Sequence, residues 1–245
     1  EDNKTFNKEK KKNYTVLTNI YHKLDSIQPF KLTFKKFMNI GSVMKEYYHL
    51  FDDDLYNDAL LFSFGFRGYC DSIKNIQKAV EANHINKCVY DTEQETQFTS
   101  AFYPLVDKEP VKNTYDFSNN IIITGPNASG KTTLLKATMF NIIISQQIGF
   151  GYYDDASVKI YDRLHCYLNI PDTSGRDSLF QAEARRCKEI LDIIQTNKHE
   201  KHFCIFDELY SGTNPYEAVS GAFAYLKHLS VNYQFSFMLT THYIS

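Results

Sequence analysis

A glycine-rich stretch holds the residues of this chain whose spacing most directly predicts chemistry. It reads G-x-x-x-x-G-K-T from Gly125 to Thr132 and follows the apolar run Ile121–Ile123. The glycines let the backbone curl so that several N–H groups face an anion, and the helix predicted to follow adds its positive end. Lys131 can reach the β- and γ-phosphates of a nucleotide, and Thr132 can offer its hydroxyl to Mg²⁺. The pattern predicts a phosphate-binding loop.

Two acidic residues end a second apolar run, FCIFDE at 203–208, which is typical of a buried parallel strand. Asp207 can complete the Mg²⁺ shell, and Glu208 can orient or deprotonate the attacking water. Many buried strands end in an acidic residue, so this pattern alone is weak evidence for a metal site. Together with the predicted phosphate-binding loop upstream, it is strong evidence. A third apolar run ends at His242. A lone histidine is more often structural, but its place in this series favours a contact with the γ-phosphate.

Composition limits the class of protein. The chain has 245 residues, 43% of them hydrophobic and 15% aromatic, so it can bury a sizeable core in one large domain or two small ones. The net charge of −2 does not by itself indicate a nucleic-acid partner. Five scattered cysteines without a C-x-x-C pair predict reduced thiols in an intracellular protein and disfavour a zinc site. No apolar run approaches the roughly 18 residues of a membrane span, so no membrane partner is expected.

The elements that must position the chemical residues alternate between strand and helix. Predicted helices cover 132–147 and 178–195, another ends at Leu229, and predicted strands cover 157–161, 203–207 and 235–241. Such alternation predicts a parallel sheet covered on both faces. The loop and Asp207 both follow the carboxyl ends of strands, where sheets of this kind bind ligands.

The amino-terminal part has a different pattern. Residues 1–13 are polar and lysine-rich, and we predict a tail that is either solvated or contacts a phosphate backbone. Residues 14–95 are predicted to be mainly helical, with a break at Asp52–Asp54. From residue 96 the pattern predicts edge strands interrupted by prolines, so we place a domain boundary near 91–95. The chain lacks an initial Met and stops just after a strand, so we expect a fragment of a longer protein.

These motifs together resemble the MutS family of DNA mismatch-repair ATPases, within the wider ABC-type ATPases. The similar pieces are IIITGPNASGKTTLL, the IG at 148–149 with the following YDRLHCYLNI, SGRDSLFQAE, FDELYSGTNPYEA and TTHY. They cover about residues 98–243 in the family's order. An ABC transporter or SMC-type ATPase would show an LSGGQ-like signature, which this sequence lacks. HKLDSIQPFKLTFKKFMNI is a weaker match to the start of the family's helical core.

The resemblance implies an α/β fold: a P-loop ABC-type ATPase domain at 96–245, with a mostly parallel sheet flanked by helices. An all-α core or lever region at 14–95 would precede it. Two such domains would pair head to tail as a homodimer or heterodimer and share two nucleotides. The implied partner is DNA, as a mismatched or branched duplex, and its clamp state would be coupled to ATP binding and hydrolysis.

The resemblance also implies ATP and Mg²⁺ as cofactors and assigns roles to residues. Glu208 and His242 would be catalytic, and Thr132 and Asp207 would hold the metal. The nucleotide-binding residues would be Gly125, Pro126, Asn127, Ala128, Ser129, Gly130, Lys131, Thr132 and Thr133, with Ser178 reaching the partner's γ-phosphate in trans. Thr213 and Asn214 would lie in the loop that crosses the dimer interface.

One departure from the family pattern concerns the base of the nucleotide. The family places an aromatic residue a few positions before Asn113 to stack on adenine. This chain has Pro110 and Val111 there, so we expect weak stacking.

Two other functions stay open at this point. One is an ABC-type ATPase of a non-DNA or SMC-like machine. A response of ATP turnover to mismatched or branched DNA would distinguish the MutS-type function from this one. The other is a degenerate paralogue that binds nucleotide without turnover. The intact Lys131, Asp207 and Glu208 argue against the second.

Overall fold

Two compact units make up the chain, Glu1–Ala79 and Val80–Ser245. The computed structural model describes residues 2–25, 34, 40–90, 95–106, 109–168 and 178–242. Outside the described residues lie most of HKLDSIQPFKLTFKKFMNI, the first four residues of SGRDSLFQAE and Tyr243 of the TTHY motif. None of the helices within those ranges combines the length and the apolar character needed to cross a bilayer.

Three helices form the described part of the first unit: α1 (Asp2–Asp25), α2 (Ile40–Asp52) and α3 (Asp54–Glu81), the last of which ends inside the second unit. Val16 and Ile20 of α1 pack with Ala59 of α3 in a small apolar cluster. The predicted break at Asp52–Asp54 is confirmed, because Asp53 separates α2 from α3. Its carboxylate accepts a hydrogen bond from the Leu55 N–H at 3.0 Å.

The amino-terminal residues, which were predicted to form a tail, are helical from Asp2 onward. Residues 2–13 form the first half of α1, and Lys8 through Lys12 are exposed on it. Helix α3 runs through Gly65 and Gly68 without interruption. Isolated glycines lower helix stability by about 1 kcal/mol each, and a helix of 28 residues tolerates two of them.

Nine strands and three helices make up the described part of the second unit. The strands are β1 (Asn86–Tyr90), β2 (Gln97–Ala101), β3 (Asn113–Asp116), β4 (Ile121–Thr124), β5 (Phe150–Gly151), β6 (Asp155–Val158), β7 (Arg163–Tyr167), β8 (His202–Asp207) and β9 (Phe235–Thr241). The helices are α4 (Lys131–Ile148), α5 (Leu179–Thr196) and α6 (Pro215–Asn232). The predicted final strand has the observed bounds, and the predicted helices agree to within a few residues.

A four-stranded sheet in the order β4-β9-β8-β7 is parallel throughout. Its central strand β8 is buried along its length apart from Asp207. Phe203 and Ile205 point to a core shared with α4, whereas Cys204 and Phe206 point to a second core shared with α5 and α6. This alternation follows from the two-residue period of a strand. The prediction of a parallel sheet covered on both faces is confirmed for this sheet.

The remaining strands form a second, mixed sheet in the order β3-β2-β6-β1-β5. Only β1 and β6 are parallel neighbours within it. The expectation of edge strands is correct for β3 and wrong for β2, which pairs with β3 on one side and with β6 on the other. Phe98 and Ala101 of β2 are fully buried. Strand β1 falls in the stretch predicted to be helical. It belongs with the second unit, so the division between units precedes the boundary expected near 91–95.

Helix α4 connects the phosphate loop to the first of these two cores. Its inner face carries Leu135, Met139 and Ile142, at the spacing of successive helical turns. It ends at Ile148 and is capped by Gly149, which adopts a left-handed φ of 78° and donates its N–H to the Ser145 carbonyl. A glycine in this position satisfies a carbonyl at the end of the helix without side-chain strain.

A stacked histidine pair joins β7 to β8. His165 Nε2 lies 3.1 Å from His202 Nδ1, and His202 Nε2 lies 3.0 Å from the Asn197 carbonyl oxygen. Because a carbonyl can only accept, His202 donates through Nε2 and accepts at Nδ1, so His165 donates through its own Nε2. Burial, and then electrostatic interactions with His202, Arg186 and Arg163, lower the pKa of His165 to about 4.

We expect the free energy of unfolding to fall as the pH drops from about 6.5 to about 4. In this window the unfolded chain binds a proton at His165 and the folded chain does not, so acid favours unfolding. Replacing His165 with Asn should reduce this fall in the free energy of unfolding by on the order of 2 kcal/mol between the two pH values. Urea unfolding at a series of pH values measures it. His199→Asn, at an exposed position, is the control, and equal slopes in wild type and His165→Asn would contradict the expectation.

Candidate functional site

The stretch between β4 and α4 forms a tight loop. Gly130 adopts a φ of 91° just before α4, and Ala128 a φ of 58°. Glycine takes such left-handed conformations without steric cost, which explains the residue at 130. Helix α4 begins at Lys131 without a side-chain cap and without an acidic residue in its first turn. Since the first N–H groups of a helix lack intrahelical partners, this end is suited to an anion.

Lys131 lies across this loop. The residue is only 8% exposed, and its Nζ donates to the carbonyl oxygens of Gly125 and Pro126, each at 2.9 Å. His242 Nδ1 lies 3.5 Å from the same Nζ. A Cβ added to Gly125 would lie 3.3 Å from the Ser129 hydroxyl, so the loop leaves little room for a side chain there. The ammonium group is thus held against the loop by backbone partners.

Asp207, at the end of β8, accepts hydrogen bonds from two threonine hydroxyls. Thr132 Oγ1 lies 2.9 Å and 3.1 Å from its two carboxylate oxygens. Thr240 Oγ1 donates to Oδ1 at 2.6 Å, because β9 pairs with β8 so that Thr240 is opposite Asp207. The structure therefore brings together the two residues predicted to hold the metal. Sequence analysis missed Thr240, whose only signal was a hydroxyl near the end of an apolar strand.

Glu208 and His242 form the second contact between strand ends. His242 Nε2 is paired with Glu208 Oε1, and His242 Nδ1 also lies 3.3 Å from the Gly125 carbonyl oxygen. Glu208 adopts a left-handed φ of 55°, and its N–H donates to the Thr240 carbonyl at 3.1 Å. Non-glycine residues with such a φ store strain and are frequent at functional sites. The two side chains predicted to be catalytic contact each other beside the loop.

One cavity of about 390 Å³ collects most of the predicted nucleotide-binding residues. It is lined by Asn127, Ala128, Ser129, Gly130, Lys131, Thr132, Thr133 and Glu208. Four further residues predicted for the site contact residues of this lining, as described above, namely Gly125, Pro126, Asp207 and His242. Residues that follow or end β4, β8 and β9, together with the first turn of α4, therefore line or adjoin one cavity.

Ser178 does not line this cavity. It caps α5: its hydroxyl accepts the Gln181 N–H at 3.3 Å, and the Gln181 side chain accepts the Ser178 N–H at 2.8 Å. Asn214 similarly caps α6 by accepting the Glu217 N–H at 3.0 Å, and Thr213 donates to the Glu217 carboxylate at 2.6 Å. Within the chain these three residues have structural partners, and their predicted action on a second subunit stays a prediction.

The donor set fits Mg²⁺ that arrives with a phosphate. Thr132 and Asp207 supply a hydroxyl and a carboxylate, which are hard oxygen ligands, and Mg²⁺ is commonly bound by one or two protein groups together with phosphate oxygens and water. Among the described ranges, no group of three or more His, Cys, Asp or Glu side chains is placed to hold a metal by itself. The buried ammonium and the uncapped end of α4 fit the phosphate itself.

A second cavity of about 820 Å³ adjoins the loop at Ser129, Gly130, Lys131 and Thr133. Its outer wall includes Leu105, Val106, Pro110 and Val111. Tyr103 is the one aromatic residue in its lining, and its ring meets Phe140 edge-on at 5.9 Å. The two residues that depart from the family pattern, Pro110 and Val111, thus line a space beside the phosphate loop. Sequence analysis did not identify Tyr103 as a residue of this cavity.

Comparison with known proteins places the second unit in a family. The family model for MutS domain V matches residues 121–245, which contain the loop, Asp207, Glu208 and His242.

Individual relatives agree with this match. The chain is 30% identical over 194 residues to Endonuclease MutS2 of Staphylococcus carnosus, and 33% identical over 196 residues to the protein of the same name from Staphylococcus aureus. In both, the alignment covers 76% of this chain and 24% of the relative. The chain thus spans about a quarter of the length of the curated relatives it matches. With its family model covering more than half of the sequence, the chain belongs to the MutS family.

Proposed function

We propose that this chain carries the Mg²⁺-dependent ATPase of a MutS-type protein that acts on DNA. The observation that carries the proposal is the convergence of Lys131, the Thr132–Asp207 pair and the Glu208–His242 pair on one cavity. The match to MutS domain V, at residues 121–245, includes all of these residues. ATP binding and hydrolysis are the activities that this convergence supports.

In this mechanism each group has one task. Lys131 and the end of α4 bind the β- and γ-phosphates, so the triphosphate lies along the loop. Thr132 and Asp207 would hold Mg²⁺, which when bound supplies positive charge that neutralises the phosphate oxygens. Glu208 orients a water and accepts its proton at a carboxylate oxygen. His242, which contacts Glu208 and lies near Lys131, responds to the γ-phosphate.

The base would enter the second cavity, between Tyr103 and the aliphatic wall formed by Leu105 and Val111. Stacking on an aromatic side chain contributes about 1–3 kcal/mol per base, and the aliphatic wall supplies less. We propose modest affinity for the base itself, with most of the binding free energy coming from the phosphates.

The domain assignment and the partners are part of the proposal. The ATPase domain predicted at 96–245 would be of the P-loop ABC type and would also include β1. The helices of the first unit would be pieces of a helical core. A second ATPase domain of the same type, identical or not, would pair head to tail. Ser178 is exposed and lies outside its own chain's cavity, which suits contact with the partner's nucleotide. DNA and ATP would then favour different dimer geometries, a coupling that acts in both directions.

The test is ATP turnover by the full protein with and without DNA. We expect Mg²⁺-dependent hydrolysis whose rate changes when homoduplex DNA is replaced by mismatched or branched duplex. An ATP turnover rate that does not change on addition of homoduplex, mismatched or branched DNA would contradict the DNA part of the proposal. No binding of ATP in the presence of Mg²⁺ would remove all of it.

Replacing Thr132 with Ala should raise the Mg²⁺ concentration needed for half-maximal turnover by roughly ten- to a hundredfold. The reason is the loss of one oxygen ligand and of the hydrogen bond that orients Asp207, and bonds to charged groups contribute about 1.5–3 kcal/mol. Magnesium titrations of the ATPase rate measure the shift.

Thr196→Ala is the matched control, since this threonine is exposed, donates to the Asp192 carbonyl within α5 and lies outside both cavity linings. An unchanged magnesium requirement in Thr132→Ala would disprove the assigned role.

A further inference from the structure

Glu183 is a buried carboxylate that the proposed mechanism does not use. It lies on α5 and is 2% exposed, and it is the only acidic residue among the buried side chains in the described ranges. Its Oε1 accepts a hydrogen bond from the Ser211 hydroxyl at 2.9 Å, and its Oε2 accepts the Gly212 N–H at 3.0 Å. A buried charge is tolerated when its oxygens are hydrogen-bonded. Both donors belong to the segment that follows Glu208.

That segment is pressed against the first turn of α5. A Cβ added to Gly212 would lie 2.8 Å from the Phe180 backbone nitrogen and 2.9 Å from Leu179 Cγ. No side chain fits at that distance, so glycine is required by the close approach. The Tyr210 ring packs against the Phe180 ring with centroids 5.8 Å apart. The turn after Glu208 therefore contacts α5 through a ring, a backbone surface and a carboxylate.

The backbone of this turn needs such support. Glu208 and Tyr210 both adopt left-handed φ values, 55° and 60°, and each non-glycine residue of this kind costs on the order of 1–3 kcal/mol. The Ser211 N–H closes the turn on the Glu208 carbonyl at 3.2 Å. The hydrogen bonds to Glu183 hold the far end of the same turn. A strained turn is maintained when surrounding contacts fix it at both ends.

We propose that Glu183 is a positioning residue for ATP hydrolysis. It fixes the turn from Glu208 to Gly212 against α5, so that the Glu208 carboxylate is held in the cavity. The same contacts join this turn to the first turn of α5, directly after Ser178. Glu183 itself is not among the residues that line either cavity. This inference rests on the proposed ATPase function and adds a residue to it.

The test compares Glu183→Ala, Glu183→Gln and the control Glu189→Ala in the full protein. Glu189 lies on the same helix with an exposed side chain paired to Arg186. We expect Glu183→Ala to lower kcat by about ten- to a hundredfold, because small displacements of a catalytic group have effects of this size. The dissociation constant for ATP should change less than about threefold, since the phosphate loop keeps its own contacts.

Glu183→Gln should retain most of kcat. Its amide oxygen can accept the Gly212 N–H, and its amide group can donate to the Ser211 hydroxyl, which accepts as well as donates. Hydrogen exchange gives a readout independent of turnover. The peptide covering 208–213 should exchange faster in Glu183→Ala, while the peptide covering 125–132 should not.

Wild-type kcat in Glu183→Ala would overturn the inference. So would a parallel loss of ATP binding and turnover in both Glu183 variants, which would indicate a role in stability alone. If Glu183→Ala does not fold, Ser211→Ala takes its place: a fall in kcat with ATP binding intact supports the inference, and wild-type kcat overturns it. An inactive wild-type protein would instead refute the proposed function itself.

Discussion

Replacing Lys131 with Met should weaken ATP binding by more than about a hundredfold and reduce hydrolysis to background. Methionine keeps the length and apolar character of the stem and removes only the ammonium group. That group is the one buried cation in the described ranges, and it lies against the end of α4 where the phosphates would bind. Each charge-assisted hydrogen bond lost to a phosphate is worth about 1.5–3 kcal/mol, so the loss of two reaches the expected factor.

Thermal shift measurements separate this effect from unfolding. At a free ATP concentration of one hundred times the dissociation constant, wild type should gain about 2.7 kcal/mol of stability. Lys131→Met should fold with a similar melting temperature in the absence of nucleotide and show no gain at the same ATP concentration. Lys136→Met, five residues along the same helix and outside both cavity linings, should respond to ATP as wild type does. A retained shift in Lys131→Met would refute the role of the ammonium group.

The parts of the site that could be predicted from sequence are those encoded locally. The loop from Gly125 to Thr132 carries its glycines and lysine at a fixed spacing, and the acids at 207 and 208 directly follow an apolar run. Parallel pairing then places the ends of β4, β8 and β9 side by side. For this reason the residues expected to meet do lie close together, although their sequence positions are far apart.

The contacts that sequence analysis missed depend on pairings between distant segments. Thr240 reaches Asp207 only because β9 pairs with β8 in one particular register. Glu183 looks like part of the polar face of a helix, and its burial follows from the turn at 211–212 packing on α5. Tyr103 reaches the second cavity from the loop after β2. Nothing in the local pattern around these residues indicates their neighbours.

The fold shows the same limit. Strand β1 has five residues and follows a long helix, so its local pattern resembles the end of that helix. It becomes a strand because it pairs with β6, where Cys88 lies opposite Ala156. Local propensity is a weak prior that tertiary pairing overrides. The parallel sheet, in contrast, was predictable because continuous apolar runs bounded by turns indicate buried parallel strands.

Replacing Glu208 with Gln should leave ATP bound and reduce kcat by about a hundred- to ten-thousandfold, the range typical for loss of a general base. Glutamine has the same size, and its amide oxygen can still accept from His242 Nε2, so the pairing seen between these side chains can persist. The backbone bond from residue 208 to the Thr240 carbonyl does not involve the side chain. What the amide cannot do is accept a proton from water.

Single-turnover assays with ATP in excess over its dissociation constant isolate this step, because binding is then complete in both proteins. Asp192→Asn, an exposed acid on α5 paired with Lys188, controls for the loss of one negative charge. If Glu208→Gln hydrolyses ATP near the wild-type rate, another group must take the proton from water. His242 would be the next residue to replace, because it contacts both Glu208 and the Gly125 carbonyl. Loss of ATP binding in Glu208→Gln would instead mean that this carboxylate helps to shape the phosphate loop, and the assignment of a purely catalytic role would fail.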